Sequence, residues 1–204
     1  MSFGYEPVWL VAELRRAAVP KQLQLWGSMV FRPYRFPPTR ELVDLAIAEV
    51  ARWAVIPSDE VDRNRTWALG GMRALFATVS CEKPALGPRI AESLAPFCAA
   101  QNLDVSAHMI RFFEEHAALV RPAVPFLRQV ALGEVRRPPA SELGLRGLAF
   151  KVLVDVAPDA ARDLDEARAT AVAEYLQIAL ARLQQGGPYS YEDLCMIANR
   201  LMWT

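Results

Sequence analysis

Residues 142–156 read Glu142-Leu143-Gly144-Leu145-Arg146-Gly147-Leu148-Ala149-Phe150-Lys151-Val152-Leu153-Val154-Asp155-Val156. This stretch supports two secondary structures, and the choice between them sets the fold class. Phe150, Val152, Val154 and Val156 alternate as a half-buried strand would. Leu143, Gly147, Phe150 and Val154 fall instead on one face of a helix. A lone strand would have no partner, because no other segment alternates convincingly. The stretch is therefore expected to be helical. The fold class that follows is all-α, a multi-helix bundle of about nine or ten helices with short Pro- and Gly-rich connectors.

The flanking sequence agrees. Downstream, residues 159–183 carry the clearest helical pattern, with Val172, Leu176, Ala179 and Leu183 in one stripe and Tyr175 and Ile178 beside it. Gly186-Gly187-Pro188 ends that helix, and Ser190 opens a last one whose apolar face is Leu194, Ile197, Ala198 and Leu201. Upstream, Arg136-Arg137-Pro138-Pro139 is a connector, and Ser141 is placed to cap the helix after it. Helices are expected over residues 87–100 and from a cap at Asp104 or Ser106 to residue 120, with Pro122 and Pro125 restarting a short one that ends near Gly133.

Gly70-Gly71 falls inside a helix that follows Pro57-Ser58. Two glycines there cost about 1 kcal/mol each relative to alanine, so they mark a kink or a close approach of another backbone. Thr39 caps a helix over residues 40–55 with Leu42, Ala46, Val50 and Trp53 along one side. Two further helices are expected over residues 7–18 and 20–31. The chain reads as a single helical domain, 1–204, with a weak sub-boundary near 134–140.

Composition narrows the function. The chain has 204 residues, 53% of them hydrophobic, enough for a core without staples. Lys plus Arg equal Asp plus Glu at 23 each, which excludes a nucleic-acid binder driven by bulk charge. Cys81, Cys98 and Cys195 are odd in number and widely spaced, so no disulfide framework is expected and a reducing compartment fits. Neither a secretory leader pattern nor a membrane-length apolar run is present, and the expected location is cytoplasmic.

The sequence offers little reactive machinery. His108 and His116 stand eight residues apart on one helix, a rise of about 12 Å, too far to share one metal directly. Asp104 precedes His108 by one turn. There is no HExxH, no GxSxG and no Walker-type phosphate loop. No cofactor, metal or catalytic residue is assigned. Carboxylates group at Asp59, Glu60 and Asp62, at Glu114 and Glu115, and at Asp163, Asp165 and Glu166, and two of these groups are expected in helix first turns, where the dipole favours them.

Other features suit contact with a partner. In the extended segment Phe31-Arg32-Pro33-Tyr34-Arg35-Phe36-Pro37-Pro38, two arginines alternate with three aromatics. Residues 121–146 are rich in arginine and 155–174 in acids, a segregation that suits docking, self-association included. Trp9, Trp26, Trp53 and Trp67 cluster in the first third, where they are expected to build core more than interface.

Tyr5-Glu6-Pro7 with Trp9, Pro20 and Leu23, and Gly147-Leu148-Ala149-Phe150 with Pro158, are similar to short stretches of the cytoplasmic sorting-platform accessory proteins of type III secretion systems. The similarity implies a non-enzymatic assembly role. It covers a small part of the chain without a specific motif, and no family is assigned from it.

The expected function is that of a non-catalytic adaptor, scaffold or chaperone-like component. It would act on another protein or on itself, through Arg32, Tyr34, Arg35, Phe36, Arg136 and Arg137. The alternative is a small helical enzyme or ligand-binding protein with an inter-helix pocket near His108 and His116. Nucleic-acid binding through Arg121, Arg128, Arg136 and Arg137 is disfavoured by the zero net charge.

Overall fold

A computed structural model describes residues 7–29, 39–56, 63–135 and 139–184. Every regular element among them is helical. The helices are α1 (Pro7–Arg16), α2 (Val19–Ser28), α3 (Arg40–Ala54), α4 (Arg63–Glu82), α5 (Gly87–Leu94), α6 (Leu103–Glu115), α7 (Val124–Leu132), α8 (Pro139–Val156), α9 (Pro158–Ala161) and α10 (Asp165–Gln184). Tighter 3₁₀ turns occupy Pro84–Leu86, Ala95–Ala99, Ala117–Leu119 and Arg121–Ala123.

The ambiguous stretch is helix. Leu145, Ala149, Val152 and Leu153 are buried together with Phe150, a spacing of four, three and one that a strand cannot bring to one side. Val154 and Val156 are only half-buried.

α6 is the centre. It packs against α4 on one side, α8 on another, and the Ala95–Ala99 turn and α3 at its start. Val105, Met109, Ile110, Phe112 and Phe113 of this helix are buried. Phe112 meets Phe76 of α4 edge-on with ring centres 6.4 Å apart, and Phe113 at 5.2 Å. Such T-shaped pairs set the negative face of one ring against the positive edge of the next.

The adjacent glycines mark a close approach. α4 runs through both, and a Cβ on Gly71 would lie 1.8 Å from the carbonyl oxygen of Trp26 in α2. From the other side, a Cβ on Gly27 would lie 2.3 Å from the Trp67 ring. Only hydrogen fits at either position. The tryptophans divide accordingly: Trp26 and Trp53 are buried, while Trp9 and Trp67 remain partly exposed.

Several boundaries differ from the sequence reading. Thr39 caps α3 as expected, its Oγ1 accepting the Leu42 N–H at 3.2 Å. α6, however, is capped by Asn102 rather than Asp104 or Ser106, with Oδ1 accepting the Val105 N–H at 3.1 Å. The Asn102 Nδ2 also donates to the Ile56 carbonyl at 2.9 Å, tying the end of α3 to the start of α6. Ser141 is no cap, because α8 already starts at Pro139. The expected helix over 87–100 tightens into a 3₁₀ turn at Ala95, one residue before Pro96. α6 stops at Glu115, where His116 leaves the helical region. Residues 159–183 form the end of α9 and most of α10, with a break around the buried Leu164. α7 ends as expected at Gly133, whose φ of 75° is the left-handed geometry that glycine adopts without strain.

Candidate functional site

Two places combine unusual chemistry with definite geometry: the α4–α6 seam, which holds the histidines, and the outer side of α10. Along the seam, Asp104, His108, Arg111 and Glu115 recur at spacings of four, three and four, which puts them on one side of α6. Thr66 and Arg73 of α4 face them. At the buried end Thr66 Oγ1 donates to Asp104 Oδ1 at 3.1 Å. At the open end Arg73 pairs with Glu115 at 3.3 Å.

His108 lies between these two contacts and is 7% exposed. Its Nδ1 has no hydrogen-bond partner. Burial pushes its pKa down to about 4, and the Arg73 and Arg111 guanidiniums act in the same direction. His116 is half-buried, with its ring centre 4.8 Å from that of Phe112. Burial lowers its pKa too; Glu115 works against this and Arg73 with it. Both imidazoles are therefore neutral at pH 7. A general base works best with a pKa near the working pH, and His108 lies well below that.

Among the described residues, no three His, Cys, Asp or Glu side chains come together as a metal site would require. The Cys98 thiol is buried, and that burial raises its pKa; Cys81 is exposed and unbridged. Cys195 lies outside the described residues. An open groove of about 560 Å³ runs elsewhere, beside α3, lined by Arg15, Arg40, Glu41, Asp44, Leu45 and Ala48. Its rim is crossed by the Arg15–Glu41 pair at 2.9 Å.

The second place is α10. It is anchored at and before its start: Leu164, just ahead of it, and Ala171 are buried, and Arg128 of α7 forks onto both oxygens of Asp163 in the preceding turn at 2.7 Å. The same guanidinium donates to the Ala160 carbonyl. The hydrogen bonds from Arg128 hold the Asp163 carboxyl below its ordinary range. Arg146 of α8 is buried and holds three groups: the Ala131 carbonyl at 3.1 Å, Glu174 Oε2 at 3.2 Å and the Ala167 carbonyl at 3.5 Å. The basic 121–146 stretch and the acidic 155–174 stretch are thus partly spent on each other within one chain.

Beyond Ala171 the helix turns apolar groups outward. Leu176 and Leu180 are 44% and 57% exposed, and Ala169 and Ala173 are exposed beside the half-buried Val172. Ala171 and Glu174 face the body from the opposite side. Ala169, Val172 and Leu176 follow a three–four rhythm that the sequence continues at Ala179 and Leu183.

Arg32, Tyr34, Arg35, Phe36, Arg136 and Arg137 lie outside the described residues, as do Pro57, Ser58, Asp59, Glu60, Asp62 and residues 185–204. The sequence reading singled out neither Arg146 nor the direction of the α10 stripe. Arg146 was signalled by being the single charge between Glu142 and Lys151 in an apolar run. The stripe's direction had no signal, because helical spacing does not say which side meets the body.

In comparison with known proteins, the chain matches no family model, no curated protein and no solved structure.

Proposed function

We propose that this protein acts by protein–protein contact, as an adaptor, scaffold or chaperone-like component, and that the outer side of α10 receives an amphipathic helix of a partner protein. The observation that carries this reading is the pair Leu176 and Leu180, both exposed on a helix whose other side is bolted down by Arg146. Leucines one turn apart cost free energy in water that a docked helix would recover. The three–four spacing of the apolar positions fits a helix better than a strand or a small ligand. No described helix is long and apolar enough to cross a membrane, and the widely spaced cysteines fit a cytoplasmic setting.

The test is capture from native host extract on immobilised wild-type chain and on Leu176→Glu with Leu180→Glu. A partner should be retained in fixed proportion by the wild type and lost by the double variant, with the helical circular-dichroism signal unchanged. Equal retention by both would remove α10 from the contact. Retention of nothing by the wild type would overturn the reading as a whole.

A further inference from the structure

We propose that His108 is an acid-sensitive latch between α4 and α6: when its imidazole takes up a proton, α4 parts from α6 before the chain as a whole unfolds. The seam has a polar contact at each end, Thr66 with Asp104 and Arg73 with Glu115. Between them stands a ring whose Nδ1 is sealed from water and has no partner. A neutral ring can leave one nitrogen without a hydrogen. A protonated ring carries N–H on both, so Nδ1 would become a charged donor with no acceptor.

The surrounding charges give no relief. Arg73 faces the ring from α4 and Arg111 from its own helix, and both disfavour a third cation. Of the acids on the same side of α6, Asp104 is engaged by Thr66 and Glu115 by Arg73. Among the described residues, the other elements packed on α6 bring groups already committed. α8 brings Lys151, held by Glu114 and Asp155, and Arg146, held by Glu174. α3 brings the Arg52–Glu49 pair, and the Ala95–Ala99 turn brings the neutral Cys98. Burial already places His108 titration well below that of a solvated imidazole. The repulsion from Arg73 acts across the contact between the two helices, so it drives α4 from α6 and not α6 from α8.

The test follows backbone amides by hydrogen exchange, corrected for intrinsic rates, as pH is lowered from 7 to below 5, beside the imidazole signals in proton–carbon spectra. The expected result is that amides of α4 around Arg73 and of α6 around His108 lose protection tenfold or more while those of α7 and α8 hold. In His108→Gln the early loss should vanish. Simultaneous loss of protection in all helices would overturn the proposal. If His108→Gln does not fold, the wild-type spectra still decide. An imidazole that titrates near 6.5 with the seam amides unchanged would show that the proton is accommodated in place, against the proposal.

Discussion

In α6, Asp104, Ser106 and His108 are polar yet buried; in α10, Leu176 and Leu180 are apolar yet exposed. Both helices break the simple rule of apolar inside and polar outside, in opposite directions. In α6 the exceptions are mostly compensated: Ser106 donates to the Cys98 carbonyl and Thr66 donates to Asp104. In α10 nothing in the chain compensates the leucines among the described residues. A buried polar group with a partner belongs to the architecture, whereas the exposed leucines of an anchored helix are what the proposed docking surface rests on.

The contrast can be broken most severely at Phe112. Phe112→Ala removes the ring that links Phe76 and Phe113 and should cost about 3–5 kcal/mol, read by chemical denaturation. A smaller loss at α6 should appear with pH alone. The folded-state pKa of His108 lies below its unfolded value, so the unfolded chain binds the proton first. Stability should be complete above about pH 6.5, fall through the window down to about pH 4, and then level off, with a total near 3 kcal/mol. At α10 the order is reversed. The Asp163 carboxyl is held low by Arg128, so that contact persists through the histidine window and is lost only below the ordinary carboxylate range of 3.8. Melting curves of wild type and His108→Gln across this range separate the two contributions.

Arg146→Met tests the anchor itself. It keeps the packing of the stem but removes the guanidinium donors to the Ala131 carbonyl and Glu174 and the longer one to the Ala167 carbonyl, a cost of about 2 kcal/mol. Hydrogen exchange in α10 should rise more than in α6; an equal rise in both would mean that α10 is not a separately held element. Leu180→Gln should be the mildest change, within about 0.5 kcal/mol in isolation. A large loss of stability there would show that the leucine is covered within the chain.

Much of the bundle was legible from local chemistry. Thr39 announced α3 through its capping hydroxyl, Gly133 ended α7, and Gly70-Gly71 announced a kink or a close approach, of which Gly71 makes the approach. The capping bond of Asn102 to the Val105 N–H is local and asparagine is a preferred N-cap, so the start of α6 was within reach of the sequence; only the hold of Asn102 on the Ile56 carbonyl joins residues 46 positions apart. The break near Leu164 follows from that side chain reaching the core and from Arg128 gripping Asp163, again contacts distant in sequence. At the candidate site, the spacing of His108 from Asp104 was visible, but the burial that lowers the pKa of both imidazoles, and Arg73 that adds to it, come from the packing of another helix. Of the α10 stripe, the side chains of Val172 and Leu176 are described; their outward direction depends on where α7 and α8 lie.

Gly71 and Gly144 would fare differently in a library that samples every amino acid at each site. Around a Cβ at position 144 there is nothing within 4 Å, so alanine there is sterically free and should raise helix stability by about 1 kcal/mol. Position 71 should admit glycine alone, since even one methyl would wedge two backbones apart. The spelling of the protein is thus open at one glycine and closed at the other. Sequences descended from it should drift at the first while keeping the second, and a chain that has lost Gly71 has also changed the distance between α2 and α4.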